Sequence, residues 1–362
     1  MAHYKQNKAT TLSRRRILVT IKNIAEHLGV AASTVARALA DNPRISEATR
    51  HQVHQAAEQL GYVAHSAARQ MRSQRSKLVG LVIPDVLNAF YSTAAHAISQ
   101  SFDEAGFQML LCICEDKPDV EWRQIRTLAE ARVAGIVWVP THAPKNQTLE
   151  LLRHTPHVQL IRRHTRLASD WFGIDDVATT LQATQHLLEL GHRRIAYIGG
   201  PRESSTGANR LKGFLQAHHQ ANIDPASASI HCKAPDVQIG RKALDKILLQ
   251  DPRPSAIVIA TSLGTEGVLD GLKARAVQVP GDMSIVGFND SPALAWWGSG
   301  LTTMRLPVRE IAIACSAFLI RKINQDKDVG EPPVPQSAYY APALIQRGST
   351  QAFAPSTPTP SA

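Results

Sequence analysis

The side chains with the clearest chemical potential near the N-terminus are hydroxyls and guanidinium groups. Ser33, Thr34, Arg37 and Arg44 can form hydrogen bonds with phosphate oxygens and base edges. Residues 1–77 contain 13 lysines and arginines against four acidic residues, a net charge of +9, whereas the whole chain carries +10. Positive charge is therefore concentrated in one small segment, which is the electrostatic pattern of a nucleic-acid-binding module.

The elements that must position these groups are three short helices. Apolar residues at helical spacing predict a first helix over 21–28, which ends at Gly29, a residue that tolerates positive φ. A second helix is predicted over 32–40, and Ser46 is a candidate N-cap for a third. This order is typical of a helix-turn-helix DNA reader. A helical hairpin without a DNA-binding role fits the same spacing, so the concentrated charge is what favours DNA.

Bulk composition limits the remaining classes of function. A chain of 362 residues, 44% of them apolar, is long enough for two or three domains with substantial cores. It has no apolar run of about 18 residues for a membrane span, and residues 14–19 do not have the layout of a signal peptide. The four cysteines and fifteen histidines show no metal-ligand spacing. We therefore expect buried free thiols in a reducing cytoplasm, with no metal and no cofactor.

From residue 78 onward, apolar strands alternate with amphipathic helices. Such alternation predicts an α/β core of doubly wound parallel sheets. The predicted strands are 78–84, 108–114, 135–140, 158–162, 194–199, 229–232, 256–260 and 284–289, and the predicted helices begin near residues 90 and 119 and cover 178–190, 209–220, 239–249 and 265–274.

A series of motifs keeps its order and spacing along about residues 19–348. It comprises Val19-Thr20-Ile21-Lys22-Asn23-Ile24-Ala25, Gly29-Val30, Ser33-Thr34-Val35-Ala36-Arg37-Ala38-Leu39, Arg44-Ile45-Ser46, Thr49-Arg50, Leu60-Gly61-Tyr62, Gly191-His192-Arg193-Arg194-Ile195-Ala196 and Gly281-Asp282-Met283-Ser284-Ile285-Val286-Gly287-Phe288. This series closely resembles the lactose-repressor (LacI/GalR) family of bacterial transcription regulators. The resemblance implies an N-terminal all-α helix-turn-helix domain and a core with the type I periplasmic-binding-protein-like fold.

The resemblance also implies a division of the chain. It predicts a helix-turn-helix domain over 19–63, a hinge helix or linker over 64–77 and an effector-binding and dimerisation core over 78–348. The chain would cross between two lobes near Phe172, Arg305 and Gln325, which gives a first lobe of about 78–172 and 305–325 and a second of about 173–304 and 326–348. Residues 1–18 would be a disordered basic arm, either adding phosphate attraction or merely an ordinary disordered start. Residues 349–362 would be a disordered tail without a leucine heptad, so we expect a homodimer.

The family resemblance assigns DNA contacts to individual positions. In the family, the second helix enters the major groove, and a leucine from the hinge is wedged into the minor groove. Met71 takes the place of that leucine. Base or phosphate contacts are expected at Thr20, Ala32, Ser33, Thr34, Arg37, Arg44 and Ser46, and hinge contacts at His65, Ala68 and Met71.

The resemblance places a small-molecule effector in the cleft between the lobes. Phe90 or Tyr91 would stack on the apolar face of a ring, although two adjacent aromatic residues are also compatible with a simple core. Arg210 matches the arginine that grips the effector in relatives. The candidate effector-binding residues are Phe90, Tyr91, Arg162, Thr206, Arg210, Thr261 and Asn289.

Three departures from the family pattern suggest the charge of the effector. Thr261-Ser262 stands where Asn-Asp is usual, Asn289 replaces an aspartate, and Arg162-Arg163 stands where an acidic residue often follows the strand. Each change removes negative charge or adds positive charge. We therefore hypothesise a sugar acid or phosphorylated sugar held by Arg162 and Arg210 rather than a neutral sugar. Arg162 could instead pair with Asp175 or Asp176.

Two other classes of function were weighed. An enzyme is not expected, since the chain has neither a P-loop nor a GxSxG nucleophile motif, and no residues are predicted to be catalytic. A solute-binding protein of a sugar transport system shares the core fold, but it needs a secretion signal and has no use for residues 20–77. The prediction is therefore a cytoplasmic, nucleoid-associated regulator, in the commoner family mode a repressor, that binds a palindromic operator as a dimer.

Overall fold

The computed structural model describes residues 19–62, 76–225, 228–325 and 335–354, which belong to two compact units divided between Ser76 and Lys77. The predicted hinge contacts His65, Ala68 and Met71 lie outside the described residues, as do the predicted arm over 1–18 and residues 355–362. No helix in the described ranges combines the length and the apolar character needed to cross a membrane.

The N-terminal unit contains α1 (Ile21–Leu28), α2 (Ala32–Ala38) and α3 (Glu47–Gln59). Ile24, Val35 and Val53, one from each helix, are buried in a common small core. Gly29 ends α1 with a φ of 64°, so the turn into α2 uses a backbone conformation that favours glycine. The helix-turn-helix arrangement predicted from the sequence is confirmed.

The C-terminal unit alternates strands and helices along its whole length. Its elements in chain order are β1 (Leu78–Ile83), α4 (Ala89–Glu104), β2 (Gln108–Ile113), α5 (Pro118–Glu130), β3 (Gly135–Trp138), α6 (Asn146–Arg153), β4 (His157–Leu160), β5 (Asp170–Ile174), α7 (Asp176–Glu189), β6 (Ile195–Gly199), α8 (Ser205–Gln220), β7 (Ile230–Cys232), α9 (Val237–Leu248), β8 (Ala256–Ile259), α10 (Ser262–Ala274), β9 (Ser284–Phe288), α11 (Pro292–Trp296), β10 (Thr302–Arg305), α12 (Val308–Asn324), β11 (Ser337–Tyr340) and β12 (Ala343–Ile345).

These strands form two six-stranded sheets, one in each lobe. The first sheet has the order β11-β5-β4-β3-β1-β2, and its strands are parallel. The second has the order β12-β10-β9-β8-β6-β7, with β12 antiparallel to β10 and the other pairs parallel. Strands such as β3 and β8 are buried along their whole length because helices cover both faces of a parallel sheet. The predicted doubly wound α/β lobes are confirmed.

The chain passes between the lobes three times, and the third crossing differs from the prediction. The first crossing follows β5 and the second lies between β10 and α12, both close to the predicted places. The third was expected near Gln325, but β11 joins the first sheet, where Ser337 pairs with Trp171. The crossing therefore lies between Tyr340 and Ala343. Residues 335–340 therefore belong to the first lobe and not, as predicted, to the second, because β11 pairs with β5 along its backbone.

The predicted disordered tail also begins too early. The Ser349 hydroxyl accepts a hydrogen bond from the Thr302 backbone N–H at 2.8 Å and donates one to the Ile285 carbonyl at 2.7 Å. The Phe353 N–H donates to the Leu190 carbonyl at 2.7 Å. Residues 349–354 are therefore tied to the second lobe. The composition rich in proline, serine and threonine that suggested disorder is concentrated in residues 355–362.

Candidate effector cleft and DNA-reading surface

An interlobe cleft of about 630 Å³ lies at the carboxyl ends of the strands in both sheets. In the first lobe, the segments that follow β1, β2 and β4 form its wall, and in the second lobe the segments that follow β6, β7 and β8 do so. Doubly wound sheets bind small molecules at this edge, where neighbouring loops diverge. Most of the effector residues predicted from the sequence line the cleft, namely Phe90, Tyr91, Arg162, Thr206, Arg210 and Thr261.

Arg162 follows β4, lines the cleft and lies beside a carboxylate. Its Nη1 lies 2.5 Å from Asp116 Oδ1 and 3.3 Å from the Pro140 carbonyl oxygen. The acid partner is thus Asp116, from the segment after β2, and not Asp175 or Asp176. Burial would lower the pKa of Arg162, but the adjacent Asp116 carboxylate holds the pKa above its usual value, so the guanidinium stays charged.

Arg210 enters from α8 and has an equally close acid partner. Its Nε lies 2.6 Å from Asp176 Oδ1, and its Nη1 donates to the Ala260 carbonyl at 2.9 Å. The guanidinium carbon lies 4.1 Å from the ring centroid of Phe288, a cation–π contact at the cleft wall. Asp176 is fully buried, and burial raises its pKa in spite of Arg210.

The two arginines are therefore not free cationic charges. Each has a carboxylate within 2.6 Å, and the wall of the cleft also contains the acidic residues Asp85 and Glu115. The departures from the family pattern suggested an anionic effector because they make the local sequence more positive. In the folded chain, aspartates from distant segments balance the positive charge of the two arginines. Because an ion pair already neutralises each guanidinium, a ligand gains most from its remaining N–H donors.

The aromatic pair belongs both to the core and to the cleft. Phe90 and Tyr91 are buried in the core of α4 and β1, and their rings meet edge to face at 5.3 Å. Both also line the cleft, so the two interpretations of this pair are compatible. Burial raises the pKa of the Tyr91 hydroxyl, which keeps it protonated and able to donate a hydrogen bond.

Two hydroxyl residues of the second lobe lie at the N-terminal ends of helices and line the cleft. Thr261 Oγ1 accepts the Gly264 N–H at 3.2 Å and caps α10, while Thr206 lies in the first turn of α8. Beside Thr206, the Ser205 hydroxyl accepts the backbone N–H of Arg163 at 2.9 Å. This bond joins the two lobes directly at the cleft.

Asn289 is not among the residues that line the cleft, and its role as an effector contact stays a prediction. It has a φ of 67°, and its N–H donates to the Met304 carbonyl at 3.0 Å. The turn after β9 thereby directs Asp290 toward β10, where it accepts hydrogen bonds from Arg305, Arg347 and Thr303. Burial alone would raise the pKa of Asp290, but these hydrogen bonds outweigh it and lower the pKa.

Sequence reasoning missed three residues that shape the cleft. Asp116 and Asp176 neutralise the arginines, and Phe288 forms the face on which Arg210 lies. A signal was present, because all three stand at or just beyond the carboxyl end of a strand, the edge at which α/β sheets bind ligands. Which acid meets which arginine depends on the strand order, which the sequence pattern did not contain.

The DNA-reading surface lies on the N-terminal unit. Ala32, Ser33 and Arg37 are exposed on α2, Arg44 is exposed in the turn that follows, and Thr34 is half-buried. Neither arginine pairs with a carboxylate among the described residues. The two remaining predicted contacts have local roles, since the Thr20 hydroxyl accepts the Asn23 N–H and the Ser46 hydroxyl accepts the Thr49 N–H as helix caps.

The cysteines are not placed for chemistry. Cys114 is buried, and burial raises the pKa of its thiol to about 12, which makes it a poor nucleophile. Within the described ranges, no group of three or more His, Cys, Asp or Glu side chains is arranged to hold a metal ion.

Comparison with known proteins assigns both units. Residues 20–65 match the sequence profile of bacterial regulatory proteins of the lacI family, and residues 184–350 match that of the periplasmic binding protein-like domain. The HTH-type transcriptional regulator DegA of Bacillus subtilis is 30% identical over 296 residues, which cover 81% of this chain and 88% of DegA. The chain belongs to the lacI family.

Other lacI-family proteins match over nearly the full length. The transcriptional regulator GalR of Escherichia coli is 27% identical over 334 residues, 92% of this chain and 96% of GalR. A structure of the lac repressor dimer bound to operator and an anti-inducer covers 92% of this chain and all of that chain, with a TM-score of 0.78 at 20% identity. A CelR–cellobiose complex, 27% identical with a TM-score of 0.68, has the same coverage. This lacI-family chain is thus a DNA-binding transcriptional regulator, and these relatives are not enzymes.

Proposed function

We propose that this lacI-family regulator is a cytoplasmic repressor that binds a palindromic operator as a homodimer and responds to a sugar in the interlobe cleft. The observation that carries the proposal is the pair of cleft arginines, each neutralised by an aspartate and set among aromatic walls. Guanidinium and carboxylate groups together can exchange hydrogen bonds with several hydroxyls of a sugar. Phe90 and Phe288 offer apolar faces for the C–H side of the ring.

A neutral sugar is the effector class that this cleft supports best. Arg162 and Arg210 keep free N–H donors, but their positive charge is balanced by Asp116 and Asp176. Asp85 adds negative charge nearby, while Glu115 is paired with Lys117. A carboxylate or phosphate at the arginines would face these acids. The related CelR, solved as a complex with cellobiose, supports a sugar as the class of effector.

Control of DNA binding follows from linkage between the cleft and the DNA-reading unit. A ligand that touches both walls favours one arrangement of the lobes over another, and it changes DNA affinity only through that difference. The Arg163–Ser205 bond across the cleft is one contact that differs when the lobes move. The residues that we propose to contact bases in the major groove are Ala32, Ser33, Thr34 and Arg37 on α2. The hinge residues His65, Ala68 and Met71, which lie outside the described residues, are proposed to contact the minor groove.

Exposed apolar groups on the core support a subunit interface. Trp296 is 83% exposed at the end of α11, and Leu110, Leu111 and Ile113 are partly exposed on the edge strand β2. Contiguous apolar surface that is exposed to water marks association surfaces between proteins. A homodimer would cover them and present two DNA-reading units to the two halves of a palindrome.

The first experiment is selection of bound fragments from the source genome with the purified full-length protein, followed by sequencing. A shared inverted repeat is the expected result, and a reporter placed behind it gives the sign of regulation. Thermal shift and DNA competition with a panel of neutral sugars, sugar acids and sugar phosphates then identify the effector. Binding that depends on salt but shares no sequence motif would overturn the regulator proposal, and sugar binding alone would favour the solute-binding alternative.

A further inference from the structure

A second concavity lies on the second lobe, beside the interlobe cleft. It encloses about 490 Å³ between the end of β7 and the face of α9. Four cationic side chains line it, Arg202, Lys233, Lys242 and Lys246, and we call this site the basic groove. Lys242 and Lys246 stand four residues apart on α9 and therefore project from the same side of the helix.

The positive charge of the basic groove is only partly compensated. Among the described residues, no carboxylate lies within ion-pair distance of any of its four cations, whereas Arg162 and Arg210 in the cleft are each paired. Asp236 also lines the groove, where its side chain accepts the Ile239 N–H at 3.0 Å and caps α9, and its carboxylate offsets part of the positive charge. All four cationic side chains are exposed, so an excess of positive charge surrounds one concavity that is open to an anion from solvent.

A half-buried histidine lies in the wall of the groove near one of the lysines. His231 lies on β7, and its Nε2 is 2.9 Å from the Ser229 hydroxyl. Burial and the charge of Lys246 both lower the pKa of His231. The groove is therefore electropositive at its wall as well as at its rim, and His231 stays neutral there.

We propose that the basic groove binds the phosphate group of a small phosphorylated molecule. Its volume falls in the range of small-ligand sites, and its concave shape suits a compact anion better than an extended surface. A phosphate offers several oxygens and about two negative charges, which matches several lysines and an arginine around one point. This site goes beyond the proposed function and stands whether or not the cleft holds a sugar.

The basic groove adjoins the cleft, so the phosphate can have two sources. Ala234, Pro235 and Thr261 line both sites. The phosphate can belong to a molecule whose sugar lies in the cleft, or to a separate metabolite. In either case, anion recognition occurs at the basic groove and not at Arg162 and Arg210.

Calorimetric titration of the full-length protein with inorganic phosphate, at constant ionic strength held by chloride, tests the site. We expect saturable binding that weakens at least tenfold in a Lys233→Gln/Lys242→Gln/Lys246→Gln variant. A matched Lys22→Gln/Lys212→Gln/Lys273→Gln variant, which removes three exposed lysines outside the groove, should leave binding unchanged. No saturable binding, or equal weakening in both variants, would overturn the proposal.

A second titration with glucose 6-phosphate separates the two sources. If one molecule spans both sites, the double variant Arg210→Met/Asp176→Asn, which removes both charges of the buried pair, should weaken glucose 6-phosphate at least tenfold and leave inorganic phosphate unaffected. If the metabolite is separate, this double variant should leave both titrations unchanged while the groove variant weakens both. Since these readouts report binding alone, failure of operator selection or of sugar binding in the cleft would not alter them. Weakening of glucose 6-phosphate by the double variant but not by the groove variant would contradict the proposal.

Discussion

At the scale of single residues, the cleft depends on pairs whose members are far apart in the chain. Arg162 meets Asp116, which is 46 positions earlier, and Arg210 meets Asp176, which is 34 positions earlier. The sequence predicted the arginines as site residues from their place after strands and within a motif. It could not predict their charge balance, because each partner comes from a strand or helix that only the folded sheet brings near.

The Arg210–Asp176 pair provides a test of this balance. Arg210→Met leaves Asp176 as an unpaired buried carboxylate, and we expect the core to lose about 3–5 kcal/mol of stability. The double variant Arg210→Met/Asp176→Asn should recover most of that loss, since the buried charge is gone. Arg241→Gln, which breaks an exposed pair with Asp270, should cost no more than about 1 kcal/mol. Denaturant titration measures all three, and equal losses in the single and double variants would contradict the interpretation.

Arg37 is the residue that we expect to read a base. Its guanidinium is exposed on α2, without a carboxylate partner among the described residues, and a bidentate contact to guanine discriminates by about 1–3 kcal/mol. Arg37→Ala should therefore weaken operator binding and relax the preference at one base pair. Competition binding with single-base operator variants measures this effect. Lys22→Ala on exposed α1 is the control, and any loss there should be uniform across sequences. A uniform loss with Arg37→Ala would assign this residue to phosphate.

At the scale of elements, patterns of burial decide what could be predicted. Strands β1, β3, β6, β8 and β9 are apolar runs buried on both faces, and they were predicted nearly to their ends. Strands β5 and β10 mix polar and apolar residues and were missed. Their pairing is dictated by neighbours in the sheet, which local composition does not contain. The third crossing was misplaced for the same reason, since β11 is defined by its pairing with β5.

Asp290 ties β9 to β10 and to the segment after β12, and its contribution should depend on pH. Its pKa is lowered in the folded chain, so its stabilising effect is complete above the unfolded pKa of about 3.9 and is lost as the pH falls through the lower folded value. Asp290→Asn should cost about 1–3 kcal/mol at pH 7.

Urea midpoints at pH 7 and at about pH 3 measure the pH effect. The gap between the original chain and Asp290→Asn should narrow at the acidic pH. Asp270→Asn, which alters an exposed ion pair, is the control and should change the midpoint little at either pH. If the difference in urea midpoint between the original chain and Asp290→Asn were the same at both pH values, Asp290 would stabilise the fold through its shape and not through its charge.

At the scale of the whole molecule, the sequence predicted the fold and the family, whereas the exposed apolar side chains that we propose for assembly are seen only in the structure. Trp296 was not singled out from the sequence, because an aromatic residue in a short loop is compatible with a core position. In the folded core it is 83% exposed. Exposure of this kind depends on how α11 packs beside β10, and no local pattern encodes it.

Trp296 should contribute to the dimer interface. Aromatic residues carry much of the binding energy at such surfaces, so Trp296→Ser should weaken dimerisation at least tenfold. Sedimentation over a range of protein concentrations measures the dimer constant, and circular dichroism checks that the fold is intact. Leu249→Ser, at an 85% exposed site on the end of α9, is the matched control. An unchanged dimer constant for Trp296→Ser would place the interface elsewhere.

The three crossings also constrain how such a gene can change and how its product can be made. The DNA-reading unit is one uninterrupted stretch that ends before Lys77, so recombination can exchange it as a block. The first lobe is assembled from residues before Asp175 and from two later stretches, 308–325 and 335–340, with most of the second lobe encoded between them. No single crossover between genes can replace one lobe alone. During translation, the first sheet stays incomplete until β11 has left the ribosome, after strands β6 to β10 of the second lobe have been made.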